Sequence, residues 1–106
     1  TGENEESWFK SGNAEQTSDK LIGNGRMRKM IVVMPYSWGA TDGSYENSFR
    51  DLMSFIERNF RVHKGKLYHA IAGLSLGGFY AMHSSHRFYN KFDYVGIFSA
   101  IYTIKR

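Results

Sequence analysis

Cysteine is absent from the 106-residue chain. That excludes a disulfide framework, a thiolate zinc site and a cysteine nucleophile together. It leaves the compartment open, since proteins of oxidising compartments also occur without cysteine. Long apolar runs are missing too. The longest, Met30-Ile31-Val32-Val33-Met34, is far short of the roughly 20 residues that cross a bilayer, so no membrane partner is expected. A basic-then-apolar leader does not open the sequence, and because residue one is Thr a leader removed upstream stays open. Proline occurs once, and neither repeats nor low-complexity tracts appear, so residues 1–106 read as one piece without a linker.

What is present is the composition of a globular chain: 42% hydrophobic, 23% charged and 16% aromatic residues. The net charge of +4 is unevenly spread. Residues 1–20 hold five acids (Glu3, Glu5, Glu6, Glu15, Asp19) against two bases (Lys10, Lys20), a balance of −3, which leaves +7 on the remainder. The densest basic cluster is Arg58, Arg61, His63, Lys64 and Lys66. Such a cluster can contact phosphate, but here it falls at a helix end, where cations favour the negative terminus. The helix-end reading is preferred, and no nucleic acid is expected.

Residues 1–13 are polar and read as a loop. A short helix is expected from Ala14 to Ile22, stopped by Gly23-Asn24-Gly25. The run 30–34, closed by Pro35, predicts a strand buried on both faces. Tyr36 to Tyr45 reads as a loop. From Glu46 to Phe60, Phe49, Leu52, Met53, Ile56 and Phe60 form one apolar stripe, with Arg50, Asp51, Glu57 and Arg58 on the other side. Leu67 to Ala72 predicts a second buried strand, Leu76 to Ser85 a helix and Tyr94 to Phe98 a third strand. Strands alternating with helices imply crossover units, hence an α/β class with parallel strands and helices on both faces.

Gly73-x-Ser75-x-Gly77 has the spacing of a nucleophile elbow, with a strand before it and a helix after. A serine on so tight a turn needs a strained backbone to stand clear of the sheet, and side chains two residues either side are expected to collide, hence Gly73 and Gly77. Gly78 is expected to let the helix lie close to the strands. The Leu76 N–H would be one oxyanion donor. The bland alternative is a Gly-rich connection that serves packing alone.

Four histidines are candidate bases. His69 stands six residues before Ser75 on the same strand, roughly 20 Å away. His63 lies further back. His83 and His86 sit roughly 12 and 16 Å along the following helix. Asp93, the last acid of the sequence, falls at the entrance to the final strand. A base must come within about 3.2 Å, so all five read as strand-end or helix-surface residues. Tyr36, Trp38 and Asp42 fall just beyond the carboxyl end of the first strand, where open α/β sheets bind ligands. They are candidate pocket residues, and aromatics buried under a loop are an equal alternative.

The stretches IAGLSLGGFYAMHSSHRFYNKFDYVGIFSA at 71–100, KMIVVMP at 29–35 and SFRDLMSFIERNF at 48–60 together resemble the esterase-D/feruloyl-esterase branch of the α/β-hydrolases. The resemblance runs over roughly residues 5–100. It is strongest to bacterial feruloyl and acetyl-xylan esterase modules, and more distant to siderophore esterases and mycolyltransferases. It implies the central portion of an α/β-hydrolase fold with an incomplete sheet, in which the missing strand comes from the remainder of the same domain or from a second chain. It also implies a triad in the order Ser, Asp/Glu, His, with Ser75 as nucleophile and the acid and base beyond Phe98. A His-Gly-type loop upstream would supply a second oxyanion donor, and Thr1-Gly2-Glu3-Asn4-Glu5-Glu6-Ser7-Trp8 looks like its tail, with Thr1 at the donor position. The implied substrate is an ester, linked to plant polysaccharide, with no metal or organic cofactor and a secreted or periplasmic location. Two rivals stay open: a non-catalytic carbohydrate-binding or interaction module on the same scaffold, and another acyl hydrolase or acyltransferase of the same fold.

Overall fold

The computed structural model describes residues 6–35 and 44–100. The chain forms two compact units, residues 1–41 and 42–106. In the first, α1 spans Ser7–Lys10 and α2 spans Ala14–Gly23. The expected loop over 1–13 therefore contains one helical turn. Asn13 joins the helices at φ 50°, a left-handed conformation that Asn tolerates better than most residues. Gly12 fits beside it because a Cβ there would lie 2.9 Å from the Trp8 carbonyl oxygen. The Lys10 ammonium pairs with the Glu6 carboxylate one turn earlier. That hydrogen bond, with the attraction between the charges, lowers the Glu6 pKa and raises that of Lys10.

The expected strand at 30–34 is not formed. Residues 28–35 carry no regular structure, and Met30 to Val33 are 40–56% exposed. A strand exists through its ladder: backbone N–H and C=O groups need a partner strand. In the order implied by the resemblance, another strand stands beside this run. No such strand is found among the described residues, so β propensity alone leaves the run unpaired.

In the second unit the order is α3 (Ser44–Asn59), a 3-10 turn over Lys66–Tyr68, β1 (Ala70–Leu74), α4 (Leu76–Arg87) and β2 (Tyr94–Phe98). The strands pair in parallel, Ala70 opposite Tyr94 through Leu74 opposite Phe98. With α4 as the crossover this is a β-α-β unit, the building block of an α/β sheet. Among the described residues the fold is a partial α/β-hydrolase-like one with an open two-stranded parallel sheet. β1 begins later than the expected Leu67, because Gly65 turns the chain at φ 106°. The N–H groups of Tyr68 and His69 then close back on Gly65 and Lys66.

Burial alternates along β1, with Ile71 and Gly73 inside and Ala70, Ala72 and Leu74 exposed. The inner face is the one α4 covers, since the missing Cβ of Gly73 points at Gly77. The other face, with Leu74, Tyr94 and Phe98, is open among the described residues. From α4 the small residues Gly78, Ala81 and Ser84 are buried, which lets the helix sit close to the strands. Half-buried Leu52, Met53 and Ile56 follow the expected stripe of α3, while Phe60 falls past the helix end and is exposed.

Ser84 is fully buried and its hydroxyl has no hydrogen-bond partner among the described residues. Burying a hydroxyl without a partner costs on the order of 1–3 kcal/mol, so Ser84→Ala is expected to raise the unfolding free energy by about 1 kcal/mol. A denaturant titration with unchanged slope checks this. A loss of stability would mean that the hydroxyl has a partner.

Candidate active site

Ser75 is the residue between β1 and α4, and it is exposed. Its backbone stands at φ 55°, ψ −117°, a conformation that costs a non-glycine residue about 1–3 kcal/mol and persists only where its surroundings hold it. Two contacts hold it here. The Ser75 N–H donates to the Phe98 carbonyl oxygen at 2.8 Å, tying the turn to the end of β2. The Ser75 carbonyl oxygen accepts the Phe79 N–H at 3.1 Å, which is the first intrahelical bond of α4. The N–H groups of Leu76, Gly77 and Gly78 precede that bond, so the helix gives them no partner. Together with the helix dipole they make the region beside Ser75 a place where negative charge is stabilised.

The glycines divide differently from expectation. A Cβ on Gly73 would lie 1.9 Å from the Gly77 carbonyl oxygen and 2.6 Å from the Gly78 nitrogen. The turn cannot close with any side chain there. A Cβ on Gly77 meets nothing within 4 Å, so the expected collision at that position is absent among the described residues. Gly78 behaves as expected, its missing Cβ lying 3.0 Å from the Gly73 carbonyl oxygen and 3.0 Å from the Ala100 Cβ.

Three of the four histidines are occupied elsewhere, and the fourth stands at the far end of α4. His69 Nδ1 lies 3.0 Å from the Lys91 carbonyl oxygen. A carbonyl only accepts, so Nδ1 carries the proton and donates. Its Nε2 faces the Glu57 carboxylate at 3.8 Å, which takes Glu57 off the solvent side expected for it. The Asp93 carboxylate meets the Lys66 ammonium at 3.2 Å, and its N–H donates to the Lys66 carbonyl oxygen. These groups cluster where β1 and β2 begin, while Ser75 follows where β1 ends. His63 stacks on Tyr68, with ring centroids 4.8 Å apart. His83 packs on Phe79 at 4.2 Å, and His86 lies in the last turn of α4. Among the described residues, none of these contacts brings an imidazole to Ser75. Thr1, Tyr36, Trp38 and Asp42 lie outside the described residues.

One feature of the site carries no sequence signal. Ser99, directly after β2, also has a positive φ, 49°. It follows Phe98, whose carbonyl holds the Ser75 N–H, so two strained serines flank one hydrogen bond. A glycine at 99 would have advertised the conformation; serine does not.

The model of the family described as "Putative esterase" matches residues 4–105. A protein of Xylanibacter ruminicola named endo-1,4-beta-xylanase/feruloyl esterase is 35% identical over 109 residues, covering 92% of this chain. The chain spans 15% of the length of that relative. With nearly the whole chain matched and the strand–serine–helix turn in place, the chain belongs to this esterase family.

Proposed function

We propose that Ser75 is the nucleophile of a serine carboxylic-ester hydrolase that releases feruloyl or acetyl groups from plant polysaccharide. The observation that carries the reading is the exposed Ser75 at φ 55° on the turn from β1 into α4, in a chain of an esterase family. The feruloyl part draws on the name of the Xylanibacter ruminicola relative.

In this reading the Ser75 Oγ forms a bond to the ester carbonyl carbon while a histidine takes its proton. The carbonyl oxygen becomes an oxyanion held by the Leu76 N–H. When the intermediate collapses, the bond to the alcohol oxygen breaks and the alcohol leaves with the proton from the imidazolium. Water then attacks the acyl-serine by the same route and frees the acid. The base and its carboxylate partner are supplied from outside the residues described, since those near β1 and α4 are held in other contacts or, as with His86, stand at the far end of the helix. Thr1 would offer the second oxyanion donor, and Tyr36, Trp38 and Asp42 would line the acyl or sugar pocket.

A fluorophosphonate probe tests the nucleophile in the intact protein. The expected adduct maps to the peptide containing Ser75, and hydrolysis of feruloyl and acetyl esters stops in parallel. An adduct on another serine overturns the assignment. Absence of any adduct together with retained polysaccharide binding would favour a non-catalytic module.

A further inference from the structure

The end of α4 and the middle of α3 border an open cleft of about 250 Å³ lined by Arg50, Asp51, Arg87 and Phe88. Phe88 forms its floor, with 9% of its surface exposed. The Arg50 guanidinium carbon lies 5.9 Å from the centre of the Phe88 ring and that of Arg87 lies 5.8 Å from it. Attraction to a ring face accounts for either contact alone. Two cations nevertheless share the one ring, and the Asp51 carboxylate that lines the same cleft forms an ion pair with neither. The ion pairs among the described residues are Lys10 with Glu6 and Lys66 with Asp93, and Glu57 faces the His69 imidazole. Neither arginine, nor Asp51, has a partner of opposite charge among them.

Two guanidiniums in one cleft repel, and a guanidinium carries its N–H donors in a fork that matches the two oxygens of a carboxylate or a phosphate. Asp51 adds the opposite requirement. An ionised carboxylate only accepts hydrogen bonds, so it disfavours a bare anion and favours one that carries hydroxyl donors beside its charge. The volume is below the roughly 300–1,000 Å³ of drug-sized sites, which suits a ligand of a single ring.

We propose that this cleft binds the oxyanion of a hydroxylated small ligand, a sugar acid, with Arg50 and Arg87 holding the acid group and Asp51 accepting from the hydroxyls. The site is separate from Ser75, because α4 rises about 16 Å from its first residue to Arg87. The inference therefore stands apart from the assignment of the nucleophile.

Titration of the intact protein with glucuronate, glucose and inorganic phosphate at constant ionic strength tests it, read by NMR at Phe88 and the arginine side chains. Glucuronate is expected to bind saturably, and more tightly than phosphate or glucose. Arg50→Gln and Arg87→Gln should each weaken glucuronate about tenfold, the loss of one charge-assisted hydrogen bond. Asp51→Asn should weaken glucuronate yet strengthen phosphate, since it removes both an acceptor and a negative charge. Both arginines are exposed, and unchanged circular dichroism confirms that these variants fold. Equal glucuronate affinity in the wild type and both glutamine variants, or shifts reproduced by sodium chloride, overturns the site. Phosphate binding tighter than glucuronate overturns the role given to Asp51.

Discussion

Ser75→Ala is expected to lower kcat for ester hydrolysis by on the order of 10⁴–10⁶ with little change in KM, the range seen when a triad serine is removed. The residual rate would come from the oxyanion donors and substrate positioning. Because Ser75 sits at φ 55°, the same position offers a second variant that separates chemistry from folding. Alanine keeps the strained backbone; glycine adopts it freely. Ser75→Gly should therefore be as inactive as Ser75→Ala but more stable by about 1 kcal/mol. Chemical denaturation of the three proteins beside their kcat values reads both effects. If Ser75→Ala kept more than about a tenth of the activity, loss of the attacking oxygen could not be reconciled with the usual size of the effect.

Elements governed by local periodicity were legible in the sequence, and those governed by partners were not. Tyr94–Phe98 forms the expected strand at the expected bounds, and α2 and α3 lie within two residues of expectation. The α/β class followed from the alternation of strands and helices. Met30 to Val33 has the same apolar, β-branched character as a buried strand, yet strand formation depends on a neighbour that no pattern inside the run encodes. The later start of β1 has a local cause, the positive φ of Gly65, where the apolar pair Leu67-Tyr68 drew the boundary too early. At the site, the position of Ser75 and the need for glycine at 73 could be read from spacing. The Phe98 carbonyl that anchors Ser75 could not, because it comes from the next strand and a backbone oxygen leaves no mark in a sequence. Glu57 shows the same limit: its place on the helical wheel predicted solvent, while His69, reached through the turn at Gly65, brings a partner to it.

Gly73→Ala is the substitution expected to damage the fold most, and Gly77→Ala its contrast. The alanine methyl at 73 would stand 1.9 Å from a backbone oxygen and 2.1 Å from a backbone carbon of Gly77. Neither is the tip of a side chain that can swing aside, so β1 or the first turn of α4 must move by more than an ångström. That breaks the Ser75–Phe98 hydrogen bond and the fit of Gly78 against the strands. The cost should exceed about 4 kcal/mol, in the range reserved for severe mechanisms, against a domain stability of about 5–15 kcal/mol. At 77 a methyl meets nothing within 4 Å among the described residues, and within a helix alanine is favoured over glycine by up to about 1 kcal/mol. Gly77→Ala should thus be neutral or stabilising in a thermal melt, while Gly73→Ala melts far lower or fails to express. If Gly77→Ala keeps its stability but loses ester hydrolysis, then the second glycine of the motif leaves room for substrate or for catalytic groups, since the turn itself closes without it. Equal destabilisation by both substitutions would instead show that the turn is closed more tightly around Gly77 than its 4 Å of open space allows.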